Sequence, residues 1–310
     1  MIIEEYSNKF YNSWNNFVEN SRQGTFLLKR DFMEYHSDRY NDNSLIFLDD
    51  DKKIVALLPA NLKNDLLISH EGLSYGGLIY GNKQKTCDIL KCFEVLIAYL
   101  KHKNIKKFIY KRIPQIYHKI PSDEDLYSLF SINATLYRRD IGYVIDNENI
   151  IKISRNKKTR YRKNFNDDYE IKITSDYNLF YEIGTEALAR FNVKPVHNSL
   201  EIEKLISTFK NNIKLYGVYF KNEMHAVCLV FETSKVLHVQ SMYANKFAKK
   251  NNFIDFMYLW LIDNFSKKFK YISFGISTEN NGKTLNEGLA KQKESFGSRA
   301  ICYDFYELNL

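Results

Sequence analysis

The residues best equipped for chemistry gather between Gly275 and Gly297. Glu279 lies in STENNG, just past a predicted strand, and its carboxylate can take up a proton as a general base. Asn286, Leu289 and Lys293 follow at spacings of three and four, so on a helix all three would line one face and could address one ligand. A second base candidate is His197, in the turn Pro195-Val196-His197; the alternative reading is a surface or capping residue. The turn NKFAKKNN, from Asn245 to Asn252, combines backbone N–H groups, three lysines and the start of a helix. Lys249, Lys250, Asn251 and Asn252 there suit a pyrophosphate, or else form a solvated lysine-rich turn.

Other groups carry less specific patterns. His70, Tyr75 and the pair Gly76-Gly77 belong to SHEGLSYGGLIYG, which holds four of the chain's 12 glycines. They read either as the acceptor-side wall of a site at a domain junction or as a tight structural turn. Gln240 and Tyr243 fall on opposite faces of one predicted strand, so both can enter one pocket only if a bulge intervenes. His238 shares a face with Gln240, and His225 sits in a strand with no partner motif. The basic run from Arg155 to Asn164 reads as a solvated helix face or, through Arg160 or Arg162, as a contact to a substrate diphosphate. The four cysteines form no C-x-x-C pair and no zinc-type cluster with histidine, so no metal is expected.

These residues must be positioned by an α+β chain. In the second half the pattern predicts a strand at Glu170–Thr174, helices at Tyr177–Arg190 and Ser199–Lys210, and strands at Ile213–Phe220, Met224–Glu232 and Val236–Tyr243. A helix at Asn252–Lys267, a strand at Tyr271–Gly275, a helix at Thr284–Phe296 and a strand at Ala300–Leu308 follow. The first half repeats a similar order: helices at Asn8–Ser21 and Lys29–Arg39, a hairpin at Ser44–Leu48 and Lys53–Ala60, a helix at Thr86–His102, and a strand at Lys107–Arg112. A helix started by Ser122 and a strand pair around Ala134–Ile145 complete it. The length and this doubled order predict two domains, 1–148 and 149–310.

Composition narrows the partners. The net charge of +8 favours anionic ones, whether nucleic acid, lipid surfaces or phosphorylated small molecules. The lysines are dispersed and no nucleic-acid motif is present, so a nucleotide-bearing small molecule is expected rather than nucleic acid. The amino terminus does not read as a signal peptide and no apolar run approaches the ~20 residues a membrane helix needs, so a cytoplasmic protein without a transmembrane segment is expected.

The segments Pro195–His197, Gln240–Asn245, Phe274–Leu289 and Lys293–Ala300, with SHEGLSYGGLIYG, resemble the two-domain GNAT proteins related to Fem-type peptidyltransferases. In particular they resemble sugar N-acyltransferases of bacterial surface-polysaccharide (O-antigen or capsule) clusters that do not use the hexapeptide-repeat fold. The closing segment also resembles a GNAT pattern of Asn, a small or apolar residue, Tyr and Gly, met here by Asn286, Leu289, Lys293 and Gly297. Lys293 departs from that pattern, which has a tyrosine usually assigned to protonating the leaving thiolate. The resemblance implies two tandem GNAT-like domains with mixed, mostly antiparallel sheets and flanking helices. It implies acyl-CoA as co-substrate, its pantetheine arm paired to the splayed fourth strand, Val236–Tyr243. The acceptor implied is a dTDP- or UDP-linked amino sugar. Its ammonium would lose a proton to Glu279 or His197, and Lys293 would assist the thiolate. Two alternatives remain: a Fem-type ligase using aminoacyl-tRNA, which usually carries a long helical hairpin not seen in this sequence, and a non-catalytic GNAT-like binding module.

Overall fold

A computed structural model gives the fold of residues 1–164 and 168–310, with side chains described outside 160–167. The elements in order are β1 (Ile2–Glu5), α1 (Tyr11–Asn20), α2 (Arg30–Glu34), β2 (Leu45–Leu48), β3 (Ile54–Leu58), β4 (Asn61–Lys63), β5 (Leu66–Ile68), β6 (Ile79–Tyr80), α3 (Thr86–His102), β7 (Lys107–Lys111), α4 (Glu124–Ser131) and β8 (Thr135–Asp146). Then come α5 (Arg155–Asn164), β9 (Tyr169–Ile173), α6 (Tyr177–Leu188), α7 (Ser199–Thr208), β10 (Ile213–Phe220), β11 (Glu223–Glu232), β12 (Val236–Ala244), α8 (Lys246–Lys250) and α9 (Phe253–Phe265). The chain closes with β13 (Tyr271–Ile276), β14 (Thr278–Glu279), β15 (Thr284–Leu285), α10 (Glu287–Glu294) and β16 (Arg299–Asn309). This is an α+β chain of mixed, mostly antiparallel sheets with flanking helices, as the residue pattern predicts.

Contacts divide it into two compact units. The first comprises Met1–Asp140, Asn280–Thr284 and Cys302–Leu310; the second comprises Ile141–Glu279 and Leu285–Ile301. In the first unit β1-β2-β3-β6 form one antiparallel sheet, and β4-β5-β7-β16 lie side by side. The amphipathic α3 turns Ile89, Cys92, Phe93, Leu96 and Leu100 inward, onto Phe47, Leu58, Phe108 and Tyr110. The glycine-rich stretch folds within this unit. Gly76 N donates to Lys111 O, Ser69 Oγ accepts from Lys111 N, and the Lys111 ammonium donates to the carbonyls of His70, Glu71 and Leu73. The loop is a tight structural turn: a Cβ on Gly76 would sit 1.9 Å from Ser69 O.

In the second unit the strands run β8-β13-β12-β11-β10-β9. The nearly all-apolar α9 buries Phe253, Phe256, Met257, Tyr258, Leu259 and Leu261 against Val218, Cys228, Val230, Leu237 and Ile272. The helix shows water only Asp263, Asn264 and parts of its flanks, and its apolar side chains form a large share of this unit's core.

Four expectations change. The residues expected as a strand pair around Ala134–Ile145 form the single strand β8, which runs through Asp140 and Gly142 without turning back. The second helix shrinks to the five residues of α2. The helix expected from Asn252 is preceded by a separate short one, α8, because Asn252 takes a left-handed conformation (φ 61°) that breaks the run. The helix expected from Thr284 starts only at Glu287, after the short strand β15.

Candidate active site

Two strands at the centre of the second unit part company. β12 and β13 pair in parallel only at Val236–Tyr271, Leu237–Ile272 and His238–Ser273. β12 then runs on to Ala244 without pairing to β13, leaving backbone donors and acceptors along that edge. Each strand is bulged near the parting. On β12, Leu229 faces Ser241 and Val230 faces Val239, so Gln240 has no residue opposite it. On β13, Ser273 faces Val144 and Ile276 faces Gly142, so Phe274 and Gly275 together oppose Tyr143. A bulge bends its strand and increases the local twist, which is a direct physical cause for divergence.

The Gln240 bulge also re-aims side chains. Leu237 and Val239 before it, and Met242 and Ala244 after it, all face the α9 core. The alternation therefore reverses across Gln240, and His238 and Tyr243 emerge on the same opposite face although an odd number of steps separates them. The bulge required for Gln240 and Tyr243 to cooperate is present, located at Gln240 itself. Tyr243 packs on Phe180 of α6, with ring centroids 5.6 Å apart. Gly184 of α6 has no side chain to hold off Tyr243 or Pro195; a Cβ there would meet Pro195 Cγ at 2.8 Å and Tyr243 Cδ2 at 2.9 Å.

At the parting, His238 Nδ1 and Ser273 Oγ share a hydrogen bond of 3.1 Å. Burial, reinforced by the charge of Lys293, lowers the His238 pKa to about 4, so its imidazole stays neutral across the physiological range. Gly275 adopts φ +70°, and a Cβ there would stand 3.8 Å from His238 Cε1. Its left-handed backbone turns its own carbonyl and that of Ile276 toward Lys293, whose ammonium donates to them at 3.0 and 2.7 Å. Lys293 is 3% exposed, and desolvation lowers its pKa to about 7. A buried lysine held between charged and neutral forms near pH 7 is suited to passing a proton or to meeting a developing anion. Sequence spacing marked Lys293 but passed over His238, whose partners Ser273 and Lys293 are 35 and 55 positions away.

The other expected residues are placed as follows. Glu279 ends β14, exposed, and its Oε1 accepts a hydrogen bond from Asn286 Nδ2 at 2.8 Å. Asn286 is the N-cap of α10, its Oδ1 taking the Leu289 N–H at 3.0 Å. Asn286, Leu289 and Lys293 therefore do not present a common ligand face: the cap turns the Asn286 side chain back onto the chain. His197 is buried directly before the N-cap of α7, Asn198. The NKFAKKNN segment is folded rather than open. Asn245 Oδ1 accepts from Ala248 N, and Glu186 accepts from Lys246 N, so those N–H groups are taken. Lys249, Lys250 and Asn251 close α8 at its carbonyl end, whereas Asn252 stands at the N-terminus of α9. Asp255 in that first turn is neutralised by an ion pair with Lys157 of the basic run and a hydrogen bond from Gln292, which preserves the positive end of the helix. The side chain of Arg160 lies outside the described residues. His70 and Tyr75 are enclosed in the first unit, 2% and 1% exposed; Tyr75 bonds Thr25, and His70 packs near His36 and Tyr40. Among the described residues no group of three or more metal-ligating side chains converges, and no helix is long and apolar enough to cross a membrane.

No family model matches the sequence, nor does any curated protein. Solved structures do. The crystal structure of FemX shares 8% identity at a TM-score of 0.68, covering 100% of this chain and 98% of that one. The C-terminal domain of a putative lysylphosphatidylglycerol synthetase from Agrobacterium fabrum shares 9% at 0.64, covering 98% and 93%. A tandem GNAT protein from the clavulanic acid biosynthesis pathway shares 7% at 0.52, covering 99% and 98%. The chain has the tandem GNAT fold of these Fem-like proteins, as the resemblance implies.

Proposed function

We propose that the second unit transfers an acyl group from acyl-CoA to the amino group of a nucleotide-linked amino sugar. The observation that carries the acyl-transfer reading is the parting of β12 from β13 beside a buried ammonium. Free β12 backbone beyond His238 can pair with the amides of a pantetheine arm by strand addition. The first turn of α9, opening at Asn252, offers N–H groups to the pyrophosphate. The acceptor amine loses its proton to Glu279, directly or through water, with His197 as the second candidate. The amine nitrogen attacks the thioester carbonyl, the carbon–sulfur bond breaks, and the thiolate takes a proton from Lys293 or is held by its charge. Gln240 and Tyr243 border the acceptor side. The amino sugar rests on the sequence resemblance alone.

A thiol-release assay with a panel of acyl-CoAs and dTDP- or UDP-amino sugars tests this. Turnover with at least one pair supports the reading; no turnover with any pair, together with transfer from aminoacyl-tRNA, would overturn it. That second reading, a Fem-type transfer, is favoured by the likeness to the FemX fold and by the occupied N–H groups of α8, which make the pyrophosphate seat smaller than a glycine-rich turn would.

A further inference from the structure

The segment Ala189–Leu200, ARFNVKPVHNSL, exposes an unusual share of apolar surface. Phe191, Val193, Val196 and Leu200 are 58%, 53%, 70% and 74% exposed. The chain here is anchored rather than trailing. A left-handed Asn192 (φ 56°) ends the turn after α6, Pro195 packs toward Gly184 and Tyr243, and His197 is buried. Because Pro195 and His197 point inward, Lys194 and Val196 between and before them point outward. Interspersed with the apolar groups are two exposed cations, Arg190, whose guanidinium lies 4.5 Å from the Phe191 ring centroid, and Lys194; the segment contains no carboxylate. Aqueous exposure of four large apolar side chains within ten residues is unfavourable unless something covers them. Apolar tips interleaved with cations and free of acids match the acyl–headgroup boundary of a negatively charged bilayer.

We infer that Ala189–Leu200 docks the protein peripherally on an anionic lipid surface, with Phe191, Val193, Val196 and Leu200 entering the headgroup region and Arg190 and Lys194 meeting lipid phosphates. The exposed side chains Phe191, Val193, Val196 and Leu200 take no part in the proposed chemistry, and the inference does not depend on it. The test is co-sedimentation of the full chain with vesicles of phosphatidylcholine alone and of phosphatidylcholine with phosphatidylglycerol at about three to one. Binding to the anionic vesicles alone, weakened by added salt, is expected. Phe191→Ser with Leu200→Ser should weaken it at least tenfold, and Lys194→Ala by about fivefold, since one juxtamembrane cation contributes roughly that factor. The substituted side chains are exposed, so thermal unfolding should match the wild type. Equal binding by wild type and the double variant, or no binding to anionic vesicles, would refute the inference. So would a concentration-dependent dimer in sedimentation that the double variant loses while vesicles bind neither, because the patch would then join two copies of the chain.

Discussion

Replacing Lys293 by methionine separates the electrostatics of the proposed site from its packing. Methionine keeps most of the apolar stem and removes the ammonium. The carbonyls of Gly275 and Ile276 then lose donors at 3.0 and 2.7 Å. An orphaned buried acceptor costs about 1–3 kcal/mol, but the desolvation of a 3%-exposed charge disappears with it. Net stability should therefore change by no more than about 2 kcal/mol near pH 7. If the ammonium meets the leaving thiolate, the loss in kcat should be far larger, about 10²–10³-fold, as for removal of a single preorganised donor. The pH dependence supplies a second readout. Burial holds the Lys293 pKa at about 7, well below the ordinary lysine value. Its protonated form is thus lost as pH rises through about 7, so wild-type kcat should fall on that side, and Lys293→Met should lack that limb. Stability runs the other way. Between about pH 7 and the ordinary lysine value the unfolded chain binds the extra proton, so wild-type stability should rise with pH in that window and the variant's should not. Thiol-release kinetics and urea unfolding at several pH values measure both. A variant within threefold of wild-type kcat, with the same high-pH limb, would refute the role of Lys293.

Glu279→Gln should lower kcat by about 10²–10⁴-fold with little change in KM, and an unchanged pH–rate profile would exclude Glu279 as the base. The His238 ring should stay neutral down to about pH 4, so its NMR signals should not titrate between pH 8 and 5; a midpoint near 6.5 would contradict its buried placement. Asn286→Ala removes the α10 cap and should cost about 1 kcal/mol in thermal or urea unfolding. Gly76→Ala should destabilise the first unit severely, because its Cβ would meet Ser69 O at 1.9 Å; Gly288→Ala in α10, whose nearest neighbour would stand 3.7 Å away, should stabilise by about 0.4–1 kcal/mol. Unfolding curves of the two glycine variants that coincide would show the loop to be looser than described.

The sequence by itself determined the elements, because periodicity and breakers are local properties. The apolar face of α3, the Lys221-Asn222 hairpin turn with both residues at positive φ, and the order of β10, β11 and β12 are all legible in it. It also marked Lys293 and Glu279 as candidates, since charge and spacing are written in the chain. What only the tertiary structure decided was which side chains meet. VLHVQSMYA alternates throughout on paper, and nothing local reveals the bulge at Gln240, which is a property of its pairing with β11. That bulge sends Tyr243 to the face of His238, and pairing with β8 produces the second bulge, at Phe274 and Gly275. Asn286 kept its predicted position but changed its work, because the strand β15 delays α10 until Glu287 and makes Asn286 a cap. Lys293 becomes chemically distinctive only when folding places its ammonium on two carbonyls 17 and 18 residues back and removes water from around it. Desolvation and register act across the fold, between residues far apart in sequence, and they decide what a lysine or histidine can do.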